Sequence, residues 1–161
     1  MMVNKENLYN LKFILVIIFL VTIDVLSKSF ANSNLSFGQS SATFIPFIDL
    51  LLIYNSGIAF GILDNSGDFA SNLLLILTLL ITTYLIWLTI KETNNKNKIS
   101  LSIISSGAIG NVLDRINDGS VTDFLHLEIY NYSLFVFNFA DAFITIGAIL
   151  IIYFEIRRNM V

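Results

Sequence analysis

Hydrophobic positions in this chain gather into four long runs, and the polar residues that interrupt three of them fall near one end of each. The cleanest run, Phe69–Ile90, carries no charge between Asp68 and Lys91. At about 1.5 Å of rise per helical residue it is long enough to cross a bilayer core about 30 Å thick. A first run from about Leu11 to Phe30 is broken late by Asp24 and Lys28, and a third, from Ile99 to about Ile116, ends on Asp114 and Arg115. The fourth, "VFNFADAFITIGAILIIYFEIRR" (136–158), has Asn138 and Asp141 near its start. The pattern predicts four transmembrane helices, at about 11–31, 69–90, 99–116 and 136–156. The small residues of "SLSIISSGAIG" (100–110) suit close helix contact in lipid.

The two longer connections read differently. Residues 32–68 open loop-like; "IPFIDLLLIYNSGIAFGILDNSG" then mixes β-branched and aromatic residues with glycine turns, which predicts a small β-like or interfacial segment. In 117–135 a "DGS" turn precedes a stretch that alternates only weakly, and this connection is expected to cross the membrane surface before the fourth helix. The expected class is therefore an all-α membrane protein of four transmembrane helices, with a small extracytoplasmic β-like segment between the first and second. Residues 1–161 are expected to form one domain.

Composition sharpens this. Of 161 residues 55% are hydrophobic and only 13% charged, and the mean hydropathy is +0.77, more apolar surface than a water-soluble domain of this size can bury. The absence of cysteine excludes disulfides, thiolate metal sites and cysteine nucleophiles. Seven of the nine basic residues (Lys5, Lys12, Lys91, Lys96, Lys98, Arg157, Arg158) lie before the first run, between the second and third, or after the fourth. The positive-inside rule makes that side cytoplasmic and puts both termini there. Lys28 and Arg115 fall on the outer side with nine of the twelve acids.

With that orientation the unexpected polar groups meet at one level, the outward end of each span. Asp24–Lys28 is an i,i+4 pair, and Asn111–Asp114, Asn111–Arg115 and Asn138–Asp141 are i,i+3 or i,i+4 neighbours. Asp24–Lys28 reads as a structural ion pair, and Asp114 and Arg115 as neighbours reaching different partners. His126 reads as a surface or interface residue, and Asp49, Asp64, Asp68 and Asp118 as solvated turn residues. Asp141 has nothing basic near it in sequence, and a carboxylate at a membrane boundary is a functional candidate, since ionised groups in hydrocarbon cost at least a few kcal/mol. Two partly desolvated carboxylates close together share a proton and titrate as a unit. Such a pair can deprotonate a water while protonating the far side of an amide. From the residues alone, an ion pathway or a noncatalytic scaffold stays open beside peptide hydrolysis. One histidine and no H-E-x-x-H pattern argue against a catalytic metal, and no cofactor is expected.

Five blocks then carry a resemblance: "DVLSK" (24–28), "NSGIAFGI" (55–62), "GAIGNVLDR" (107–115), "VTDF" (121–124) and "FNFADAFITIG" (137–147). In this order between four spans, the chain resembles the bacterial lipoprotein signal peptidase (signal peptidase II) family of aspartyl membrane proteases. The resemblance implies that Asp123 and Asp141 form the catalytic pair. It assigns Asn111, Asp114, Arg115 and Asn138 to the supporting polar shell, Asp24 and Lys28 to the first-helix motif, and Asn55 and Gly57 to a loop that contacts substrate. Val25 departs from the family's usual glutamine and Thr122 from its usual valine, and neither removes a proposed catalytic group. The implied substrate is a transmembrane signal peptide cleaved before a diacylglyceryl-modified cysteine. The partners implied are lipidated prolipoproteins and membrane lipids, not nucleic acid. The protein is expected to be a monomer in the bacterial inner membrane, with its active site near the outer leaflet and segment 49–68 clasping the substrate through Gly57, Gly61 and Gly67.

Overall fold

The computed structural model describes residues 5–57, 67–130 and 132–160, with the side chains of 5–9, 67–70 and 159 left aside. Four helices run as α1 (Lys5–Asn34), α2 (Gly67–Lys91), α3 (Asn95–Asp118) and α4 (Phe139–Asn159). Three described helical stretches, Asn10–Asn34, Ser71–Lys91 and Phe139–Arg158, are long and apolar enough to cross a membrane. The expected third span forms as a 24-residue helix but is too polar to stand with those three.

The reason lies in its position. Helix α3 packs against α1, α2 and α4 and buries Ser100, Ser102, Ser105 and Ser106 rather than leucines. Several of these hydroxyls are satisfied by the helix itself: Ser100 donates to the Lys96 carbonyl at 2.9 Å and Ser102 to that of Lys98 at 2.8 Å. Ser105 and Thr89 of α2 share a bond at 3.0 Å. Two glycines let the backbones close. A Cβ on Gly107 would collide with the Ala140 carbonyl oxygen, and one on Gly110 with Asp24 Oδ2. The run of small residues thus serves the close contact its sequence predicts.

The small β-like segment expected between the first two helices does form strands, but they belong to a larger sheet that the expected class did not include. A four-stranded antiparallel sheet, ordered β1 (Ser40–Ser41), β2 (Ile48–Asn55), β3 (Val121–Ile129), β4 (Tyr132–Phe137), unites both long connections. The stretch expected merely to cross the membrane surface is a β-hairpin, with Tyr130 at φ 50° in its turn. The fourth helix consequently begins at Phe139, not at 136: the aromatic residues of β4 are apolar enough to read as the start of a span. The sheet docks through Phe124, which packs with Ala31 of α1 and Leu52 of β2 and meets the Phe139 ring edge-on at 5.9 Å. Helix α1 also outruns its predicted end, because Ser33 and Asn34 bond back to the carbonyls of Ser29 and Phe30.

Candidate active site

The polar residues from the ends of the helices converge where the sheet meets the bundle. Asn138 and Asp141 open α4 as a capping box: Asn138 Oδ1 accepts the Asp141 N–H at 3.0 Å, and the Asn138 N–H donates to Asp141 Oδ2 at 3.3 Å. Asp141 thereby occupies the first turn, where the positive end of the helix dipole stabilises a carboxylate. Asn111 of α3 donates to its other oxygen, Oδ1, at 2.8 Å. These donors offset the cost that made Asp141 anomalous in the sequence.

Asp123 comes from β3 and is 1% exposed. Its Oδ1 accepts from Asn138 Nδ2 at 2.6 Å and its Oδ2 from Asn55 Nδ2 at 3.0 Å. Asn138 therefore holds both carboxylates, Asp141 by its backbone and Asp123 by its side chain. Burial raises the Asp123 carboxyl to about 6, with the charge of Asp141 pushing the same way and the bonds from Asn55 and Asn138 opposing. Asn55 is itself fixed by Gly57, whose N–H donates to Asn55 Oδ1 at 2.8 Å. Gly57 has φ +75°, and a Cβ there would run into Leu74 of α2, so this turn favours glycine.

A second tier braces the first. Lys28, 3% exposed, lies 2.8 Å from Asp24 Oδ2 and 3.1 Å from Asp114 Oδ2, and donates to Asn111 Oδ1 at 3.1 Å. Asp24, fully buried, accepts the Ala140 N–H through Oδ1 at 2.8 Å, capping α4 from α1. Asp114 accepts the Thr122 N–H at 2.9 Å, fixing the strand beside Asp123. Arg115 donates to the Asn111 carbonyl at 3.4 Å and feels the charges of Asp123, Asp141 and Asp114. The ion-pair reading of Asp24–Lys28 holds, and adjacent Asp114 and Arg115 do reach different partners.

Some expectations change. His126 is not a surface residue but is 4% exposed, and Asp49 lies within β2 rather than in a turn. Asp64, Gly61 and most of "NSGIAFGI" fall outside the described residues, as does the Asp68 side chain. The cap on Ala140 had no signal in sequence. The capping box did: Asn138 and Asp141 are spaced N-x-x-D, a helix-start signature that lies inside the apolar run beginning at 136.

Two hollows lie near this network, one beside Asp141 and one beside Asn111 and Arg115. One, of about 500 Å³, lies between β4 and α4 and is lined by Phe135, Phe137, Asp141, Thr145 and Ile146 among others. The other, of about 280 Å³, is walled by apolar residues of α2, α3 and α4, with Asn111 and Arg115 also lining it. Residues 16–157 match the sequence model of the family described as Signal peptidase (SPase) II. The chain belongs to the signal peptidase II family. The lipoprotein signal peptidase of Pelagibacter ubique (strain HTCC1062) is 39% identical over 158 residues, covering 97% of this chain and 95% of the relative. That of Polynucleobacter necessarius subsp. necessarius (strain STIR1) is 37% identical over 155 residues, covering 96% and 94%. A bacterial membrane enzyme solved by the in meso method at 2.3 Å resolution shares the fold with a TM-score of 0.77 at 31% identity, over 92% of this chain and 89% of that one. As a signal peptidase II with three helices long and apolar enough to cross a membrane, the chain is an inner-membrane peptidase.

Proposed function

We propose that this signal peptidase II removes signal peptides from diacylglyceryl-modified prolipoproteins, cleaving before the lipidated cysteine, with Asp123 and Asp141 activating the water. The observation that carries this reading is the bridging of the two carboxylates by Asn138, which bonds Asp123 through its side chain and Asp141 through its backbone. Asp123, raised to about 6, holds the shared proton, and Asp141 serves as base. Asp141 takes a proton from water as its oxygen attacks the scissile carbonyl carbon, and Asp123 gives its proton to the carbonyl oxygen. On collapse of the resulting diol the C–N bond breaks, the proton on Asp141 passes to the leaving amine, and a hydroxyl proton returns to Asp123.

The remaining residues hold this pair in place. Asn55, Asn111 and Asn138 orient the carboxylates; Asp24, Lys28, Asp114 and Arg115 brace them; Asn55 and Gly57 form the edge of the loop that clasps substrate. Helix α3 crosses the membrane with the other three, its polar surface turned to its neighbours, which makes four spans in one domain. The seven basic residues at the far ends of the helices support cytoplasmic termini and a dyad near the outer leaflet. There a substrate anchored by its acyl chains presents its scissile bond at the right depth, with the apolar hollows beside Asp141 and Asn111 to receive signal helix and lipid. All the named groups come from one chain, so a monomer suffices.

The direct test is incubation of the purified protein in detergent, with chelator, with a synthetic diacylglyceryl-modified prolipoprotein peptide. Cleavage before the modified cysteine is the expected result; a lipidated peptide left intact by folded protein would refute the reading. The pH profile gives a second test. Because the raised Asp123 carboxyl must be protonated to act, kcat/KM is expected to fall about tenfold per pH unit above an apparent pKa near 6. Asn55→Ala removes a bond that favours ionised Asp123, so its alkaline limb should move to higher pH. A limb unmoved or shifted downward would separate Asp123 from the titration.

A further inference from the structure

On the face of β3 opposite Asp123 lies a second group of chemically capable residues that the peptidase reaction does not use. Alternation along the strand puts His126 and Glu128 on one face, and the β2–β3 register sets Asp49 directly across from His126. One ligand atom from each of Asp49, His126 and Glu128 lies within 4.8 Å of the other two. His126 is 4% exposed, and its buried Nδ1 has no hydrogen-bond partner. That nitrogen faces Glu128 Oε2 at 3.8 Å, beyond hydrogen-bond reach. The opposite ring nitrogen, Nε2, is engaged with Ser133 Oγ of β4 at 2.7 Å.

An imidazole nitrogen buried without a partner is costly unless something fills its lone pair. Here Glu128 stands beside that nitrogen, and Asp49 completes a group whose ligand atoms lie within 4.8 Å of one another. Neighbouring ligands of a tetrahedral ion bonded at about 2.1 Å stand about 3.4 Å apart, so small side-chain rotations of Asp49 and Glu128, both partly exposed, complete the set. An Nε2–H donating to Ser133 Oγ would fix the tautomer that leaves Nδ1 as ligand, the outer-shell support typical of metal-bound histidines. One imidazole with two carboxylates suits a divalent transition ion of the zinc class rather than magnesium.

We propose that Asp49, His126 and Glu128 bind a divalent transition-metal ion of the zinc class, with a position left for water, outside the catalytic pair. The ion would staple β2 to β3, the strands that deliver Asn55 and Asp123. Its role is structural, so it does not replace the water-activating carboxylates.

The chain contains a single histidine, which makes the test unambiguous. Full-length protein carrying no histidine tag is stripped with chelator in detergent and dialysed against about 10 µM Zn²⁺. Metal analysis should find one ion per chain. The ring resonances of the lone histidine should shift, and the thermal midpoint should rise by about 5 °C. Asp49→Asn combined with Glu128→Gln, two partly exposed positions, should abolish uptake and the midpoint rise while the variant stays folded. The proposal is overturned if wild-type protein retains no zinc, if the histidine resonances do not move, or if uptake persists in the double variant. It is equally overturned if Asp141→Asn rather than the double variant abolishes uptake, which would place the ion at the catalytic pair. Because peptide cleavage is assayed in chelator, failure here leaves the peptidase reading standing, and failure there leaves this one.

Discussion

Asp141→Asn and Asp123→Asn are each expected to lower kcat/KM on a diacylglyceryl prolipoprotein peptide by about a thousandfold or more, leaving the protein folded in its helices and sheet. General acid or base groups contribute about 10²–10⁴ each, and in a coupled pair the loss of either removes both the base and the proton it shares. The structural cost is modest by comparison. An asparagine at 141 can still accept from Asn111 Nδ2, which now meets Asp141 Oδ1 at 2.8 Å. It loses the carboxylate of the capping box and its charge at the helix start, about 1 kcal/mol. At 123 an amide can satisfy one of the two asparagine donors but not both, while it removes a carboxyl whose ionised form burial disfavours. Circular dichroism and thermal unfolding in detergent separate the two effects. A variant that unfolds early reports a structural loss. A variant that folds and still cleaves within about tenfold of wild type removes that carboxylate from the mechanism.

Most of the helical frame was legible because long uncharged runs leave little alternative in a lipid environment, as Phe69–Ile90 illustrates. The sheet was less legible, and the reason is local. In β3 the residues of both faces are buried, Val121 and Asp123 on one side, Thr122, Phe124 and His126 on the other, so the strand does not alternate cleanly between apolar and polar. In β4 an aromatic series reads as membrane. The polar site was visible as a set of residues but not as a network. Sequence spacing joins Asp24 to Lys28, whereas only the fold joins Lys28 to Asp114 and Asn111, or Asp24 to the backbone of Ala140. For the same reason the motif blocks pointed to Asp123 and Asp141 together, while nothing in the chain foretold that Asn138 would hold both. The grouping of Asp49 with His126 depends on strand register across more than seventy residues of chain, which composition cannot express.

Lys28→Met is expected to destabilise the folded protein by about 3–5 kcal/mol, a large share of the stability of a domain this size. The ammonium is 3% exposed and is shared by Asp24, fully buried, and Asp114. Methionine preserves most of the volume but leaves two carboxylates facing each other with their common counter-ion gone. Those carboxylates are also the anchors of the site: Asp24 caps α4 one residue before Asp141, and Asp114 holds the Thr122 N–H one residue before Asp123. Loss of activity should therefore accompany loss of stability, although Lys28 touches neither Asp123 nor Asp141 among the hydrogen bonds described. A double variant tells a charge effect from a packing effect. Asp24→Asn keeps an oxygen to accept the Ala140 N–H, so adding it to Lys28→Met removes one unpaired charge without removing the cap. If the penalty is electrostatic, the double variant should be more stable than Lys28→Met alone, a non-additivity of about 1–3 kcal/mol in a double-mutant cycle. If the two substitutions simply add, or if Lys28→Met unfolds within about 0.5 kcal/mol of wild type, the buried ammonium does not stabilise this junction in the way its contacts indicate.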